Sequence, residues 1–149
     1  MKLILAAIGL RARASAFDEL VETYRARTEA FTEVETAVFR SAEAFFTAID
    51  RQKTRTGSML VLLDGRGKQF SSEDLAAWLR RMGDQGQQRI VFAIGPADGW
   101  TDADRQRATL LLSMGPMTLP HELARVIISE QVYRAFTILA GHPYHTGHV

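Results

Sequence analysis

The chain has 149 residues, 46% hydrophobic and 23% charged, which predicts one folded domain, 1–149, with enough chain for a substantial core. The absence of cysteine excludes disulfides and thiolate metal sites, and a formal net charge of +1 excludes a uniformly basic surface for nucleic acid. Arginines in close pairs (Arg11/Arg13, Arg25/Arg27, Arg80/Arg81, Arg105/Arg107) leave room for local phosphate contacts, although a solvated face with interspersed acids is the simpler account of them.

The first apolar run, Leu3 to Ile8, is too short to span a membrane and lacks a good cleavage region, so it reads as a buried strand ended by Gly9. Ser15 or Asp18 can cap a helix reaching Thr28, with Phe17, Leu20, Val21 and Tyr24 at helical spacing. Phe31 to Phe39 reads as a second strand, Ala42 to Ile49 as a helix, and Gln52 to Ser58 as a polar loop. Met59 to Leu63 is a continuous apolar run, the pattern of a strand covered on both faces. Its end, Asp64 to Lys68, is expected to be a loop, and the GRGK it contains lacks the spacing of a phosphate-binding P-loop.

Ser71, with Asp74 three residues on, marks the start of a helix to about Met82. Ile90 to Ile94 is another buried strand, broken by Gly95-Pro96-Ala97-Asp98-Gly99, and Thr101 caps a short helix to about Ala108. Thr109 to Ser113 is the last strand, followed by the loop Met114-Gly115-Pro116-Met117-Thr118. Pro120 then opens a long helix to about Ala140, a favoured place for a residue without an N–H. Alternating strands and helices with two-sided apolar runs predict an α/β fold, a mostly parallel sheet with helices on both faces. Apolar residues surround nearly the whole circumference of the final helix, so it is expected to be buried on two sides, one of them in a symmetric homodimer.

In open α/β sheets ligands sit beyond the carboxyl ends of strands. Three glycine-bearing loops lie there: Leu63-Asp64-Gly65, Gly95 to Gly99, and Met114 to Leu119. Each alone is only a turn after a strand; together, walled by Leu63, Met114, Met117 and Leu119, they suit an apolar ring whose edge is read by backbone. His121, in the first turn of the last helix, is either a helix-start residue bonded to backbone or part of this site. Arg125 has two readings, an i,i+3 pair with Glu122 or a contact to substrate phosphate. Arg25 and Arg27 likewise suit either nucleic-acid phosphate or a solvated helix face. His142, His145 and His148 have a spacing that invites a metal. Pro143 and Gly147 argue against a regular helix presenting them, and no metal is expected.

The block MTLPHELARVIISEQVYRAF and the tail His142-Pro143-Tyr144-His145 resemble the RlmH family of SPOUT-class methyltransferases. The likeness extends over nearly the whole chain, including KLILAAIG, Tyr24-Arg25-Ala26-Arg27, Leu62-Leu63-Asp64-Gly65 and Ile94 to Gly99. It implies a C-terminal trefoil knot, against the general rule of unknotted chains, and a cytoplasmic homodimer joined through the last helix. It also implies methyl transfer from S-adenosylmethionine to N3 of a pseudouridine in large-subunit ribosomal RNA. Carried over residue by residue, it puts the cofactor on Leu63, Gly95, Met114, Gly115, Pro116, Met117, Thr118 and Leu119. The catalytic candidates become His145, Tyr144 and His121, with Arg125, Arg25 and His142 on the substrate side. Two departures stand out: Pro96 where the family usually has a second glycine, and Thr146-Gly147-His148-Val149 where it often ends in a basic residue. A proline that removes a needed N–H makes the alternative a non-catalytic dimeric RNA-binding or ribosome-assembly module of the same fold.

Overall fold

The computed structural model describes residues 1–9, 15–52 and 54–147. The strands are β1 (Lys2–Ile8), β2 (Glu33–Phe39), β3 (Ser58–Gln69), β4 (Arg89–Ile94) and β5 (Leu110–Ser113). The helices are α1 (Ala16–Thr28), α2 (Ala42–Arg51), α3 (Ser72–Asp84), α4 (Asp102–Gln106) and α5 (His121–Leu139), followed by a 3-10 turn, Pro143–His145. Arg11, Arg13 and His148 lie outside the described residues.

All pairings in the sheet are parallel, in the order β2-β1-β4-β3-β5. β1 and β4 sit in the middle, and almost every residue in them is buried because both faces are covered. Leu3, Leu5, Ile90 and Phe92 pack with α3 and α5 on one face; Ile4, Ala6, Ile8, Val91 and Ala93 pack with Phe45 and Phe46 of α2 on the other. The helix starts are built as their sequences imply. Ser71 accepts the Asp74 N–H while Asp74 accepts the Ser71 N–H, and Thr101 and Asp104 repeat the exchange. At α1 the Ser15 N–H donates to the Asp18 carboxylate, 2.9 Å.

Two expectations change, and the cover of α5 within the chain becomes visible. β3 does not end at Leu63 but continues to Gln69 through a bulge. Leu63 and Lys68 both stand opposite Leu112, so the intervening residues swing out and return. Gly67 makes the return possible, because a Cβ there would lie 2.5 Å from the Leu111 carbonyl carbon. Pro120 serves as the N-cap of α5 in extended backbone (φ −56°, ψ 145°), one position before the helix rather than within it. Finally, α5 lies between α1 and α3 and against the sheet and the 3-10 turn. Those neighbours account for most of its apolar circumference, and among its large apolar side chains only Leu123 is exposed.

Candidate functional site

At the bulge of β3 and the carboxyl ends of β4 and β5 the chain forms a cleft of about 630 Å³. Its lining includes every residue expected to hold a cofactor: Leu63, Gly95, Met114, Gly115, Pro116, Met117, Thr118 and Leu119. Leu63 and Gly95 form the buried floor, and Met117 stands out at the rim, 82% exposed. The size and the mostly apolar lining are those of a small-molecule site.

Ser113 holds the start of the β5–α5 loop, its hydroxyl oxygen accepting the Gly115 N–H and donating to the Gly115 carbonyl, both at 3.2 Å. Gly115 has φ +114°, a conformation open to glycine and strained for other residues. His121, the first residue of α5, also lines the cleft. Its Nε2 is buried and has no hydrogen-bond partner among the described residues. That edge of the ring faces Gly9 at the end of β1, where an added Cβ would stand 3.6 Å from Cε1 and 4.0 Å from Nε2.

One wall carries a half-buried charge pair that the sequence did not announce. The bulge of β3 places Asp64 so that its carboxylate accepts the Arg66 N–H at 2.8 Å and the Arg105 Nε–H at 2.6 Å. Burial pushes this carboxyl up, but the Arg66 N–H and the Arg105 guanidinium outweigh it and hold it below its ordinary value. Arg105 also binds Asp102 of its own helix at 2.8 Å, and its bond to Asp64 fastens α4 to β3 beside the cleft. Trp100 is the second unannounced residue. It is 4% exposed, and its indole N–H donates to the Leu63 carbonyl at 3.0 Å. A tryptophan directly after a Gly/Pro loop was the available signal, since its ring is too large to leave in solvent without reason.

The tail is somewhere else. His142, Tyr144 and His145 are absent from the lining of the cleft and lie along α5 instead. His142 Nδ1 accepts the Tyr144 N–H, closing the 3-10 turn. The Tyr144 hydroxyl donates to Glu130 at 3.0 Å, with its ring edge-on to Tyr133 at 4.7 Å. Burial, reinforced by the Glu130 bond, pushes the Tyr144 phenol well above its ordinary value, so it stays protonated and acts as a donor. His145 bridges Arg134 and Glu73, at 2.8 and 2.7 Å. Among the described residues no group of three His, Asp or Glu is arranged to hold a metal.

The two arginines expected on the substrate side are committed elsewhere. Arg125 is 7% exposed and joins Asp18 of α1 to Glu122 of α5, at 3.1 and 3.0 Å. Arg25 is clamped by Glu22 and Glu29, each at 2.6 Å, which raise its pKa further. Of that pair's neighbours, Arg27 lies over the Tyr24 and Tyr133 rings. No described helix is long and apolar enough to cross a membrane.

Comparison with known proteins bears on this arrangement. A family profile described as "Predicted SPOUT methyltransferase" matches residues 1–145. A ribosomal RNA large subunit methyltransferase H from Koribacter versatilis (strain Ellin345) is 49% identical over 148 residues, 99% of this chain and 100% of that one. Its namesake from Brucella ovis is 48% identical over 118 residues, 74% of this chain and 70% of that one. Among solved structures, a probable methylase family protein from Haemophilus influenzae Rd KW20 superposes with a TM-score of 0.57 at 13% identity, covering 93% of this chain and 66% of that one. That likeness concerns the fold alone.

Proposed function

The chain belongs to the SPOUT methyltransferase family, and from that premise we propose that it methylates N3 of a pseudouridine in large-subunit ribosomal RNA. S-adenosylmethionine, when bound, supplies an electrophilic methyl group on a sulfonium. The observation that carries the reading is the convergence of the β3 bulge and the loops after β4 and β5 on one cleft of ligand size.

Leu63, Met114, Met117 and Leu119 would wall the adenine, and the backbone of Gly95 and of Gly115 to Thr118 would read its polar edge. Pro96 fits this cleft, because it lines the wall and its carbonyl accepts the Gly99 N–H at 2.8 Å, closing a turn that needs no N–H from residue 96. His121 would bond the ligand or the incoming base through Nε2. The weakly acidic N3–H must leave, and His145 is the proposed base, with Tyr144 as a neutral donor beside it.

Because the tail residues are absent from the lining of their own cleft, we propose that they serve the cleft of a second copy. Phe17 and Leu20 of α1 and Leu123 of α5, exposed by 37, 45 and 37%, offer an apolar face for that copy. In this reading Arg125 and Arg25 brace the scaffold, the trefoil knot forms where the chain returns from β5 over the sheet, and the site of action is the ribosome in the cytoplasm.

Calorimetric titration of S-adenosylmethionine, followed by methyl transfer to intact ribosomes, tests the activity. Saturable binding and transfer are expected. A folded protein that binds none at millimolar ligand would instead be the non-catalytic module. Mixing a His145→Ala chain with a cleft-blocked Gly115→Trp chain tests the shared site: activity should return in the mixture, and a mixture as inert as its parts would confine each tail to its own chain.

A further inference from the structure

The cofactor cleft has a floor made by two strands that part company. Leu63 of β3 stands opposite Ile94 of β4 and Leu112 of β5, and directly after it the β3 ladder is interrupted by the bulge. A carbonyl at such an interruption loses its regular partner and, being buried, must find another. Trp100 supplies it: the indole N–H reaches the Leu63 oxygen at 3.0 Å. The same ring lies under Gly95, the first residue beyond β4, where a Cβ would stand 2.8 Å from the indole Cε2 and Nε1 and 3.1 Å from Cδ1.

Behind it Phe45 and Phe46 of α2 pack against the ring, each with centroids at 5.9 Å, so it has little freedom to retreat. Two of the three loops that make the cleft are thus registered on one side chain, which is itself part of the lining.

We propose that Trp100 is a positioning residue for the cofactor: it holds the Leu63 carbonyl and the Gly95 backbone at the separation an adenine nucleoside requires. This rests on the cofactor reading above. Glycine at residue 95 is then dictated by the indole as well as by the ligand, and the two residues act as one unit. It also makes Trp100 an optical reporter. The other tryptophan, Trp78, lies on α3 in the core and is not in the cleft lining.

The test uses four full-length proteins: wild type, Trp100→Phe, Gly95→Ala and the double variant. Each is titrated with S-adenosylmethionine by calorimetry, at a temperature where circular dichroism shows all four folded. Removing the indole N–H or forcing a methyl into the ring should each raise Kd about 10-fold. The phenyl ring lacks the Nε1 and Cε2 atoms closest to residue 95, so the double variant should bind no worse than the weaker single variant. In a Trp78→Phe background, S-adenosylmethionine should shift Trp100 emission with the Kd found by calorimetry.

A purely structural tryptophan would lower the melting temperature and leave Kd unchanged, which would overturn the inference. So would independent, multiplying losses in the double variant. A wild-type protein that binds no S-adenosylmethionine would sink the cofactor reading and this inference with it. Wild-type binding untouched by either single change would sink this inference alone.

Discussion

Arg134 and His145 meet at 2.8 Å, guanidinium NH1 to imidazole Nδ1. A guanidinium only donates, so Nδ1 must accept, the proton sits on Nε2, and that N–H points to Glu73 at 2.7 Å. In this geometry Nδ1 accepts and Nε2 donates, so both ring nitrogens are already engaged. To take a proton from a substrate it must first leave Arg134.

As the proposed base, His145 replaced by alanine is expected to lower turnover about 100-fold, the lower end of a general base's contribution, while the Kd for S-adenosylmethionine stays within about twofold. Single-turnover methylation of ribosomes measures the first and calorimetry the second. Full turnover in His145→Ala would remove the residue from the chemistry.

Arg125 is expected to matter for stability and not for catalysis. Arg125→Met leaves Asp18 and Glu122 facing each other without their shared cation, a loss of about 2–3 kcal/mol for a largely buried pair. In a chain of this size that is a fall of roughly 5–10 °C in melting temperature, read by calorimetry. A variant with unchanged melting but weakened affinity for ribosomes would return Arg125 to the substrate side.

Asp64 should give the protein an acid sensitivity of known sign. Its folded pKa lies below the unfolded one, so its contribution to stability is complete above about pH 4. That contribution is lost as pH falls through the depressed folded value. Denaturant unfolding between pH 7 and 2 should show Asp64→Asn less stable than wild type at pH 7, by about 1–3 kcal/mol, with the gap closing toward pH 2. A gap independent of pH would mean that the carboxylate's charge contributes nothing.

Gly67→Ala should be among the most damaging single methyl groups that can be added to this chain. The new Cβ would meet backbone, not a side chain that can rotate away. Overpacking of this kind costs about 3 kcal/mol or more, and it displaces the turn that holds Asp64. Lower melting and weaker cofactor binding are expected together. Unaltered melting would show that the β3 bulge relaxes freely.

The elements were legible because the patterns were unambiguous: buried strands as unbroken apolar runs, helix starts as Ser or Thr with an acid three residues on. The cleft-lining loops were legible from glycine after strands and from family resemblance. What escaped was anything fixed by contacts distant in sequence. Nothing near Leu63 announces that β3 will bulge and rejoin Leu112, or that Trp100 will seek a carbonyl 37 positions away. The apolar girdle of α5 has the same limit, since helical periodicity alone does not name α1 and α3 as its cover within the chain. Charges show the limit too: the Glu122–Arg125 pair was one of two readings the sequence offered, whereas Asp18 of α1 as a second partner follows only from packing.

The place of α5 also sets the order of events during synthesis. Leu3, Leu5, Ile90 and Phe92 share one apolar cluster with Ala124, Ile128, Val132 and Ala135, so the central strands stay uncovered on that face until the last long helix has been made. Early segments have little to fold onto, and the long-range closure slows collapse to the native state. A nascent chain halted after β5 would hold an open, sticky sheet, the form that chaperones or aggregation would claim first.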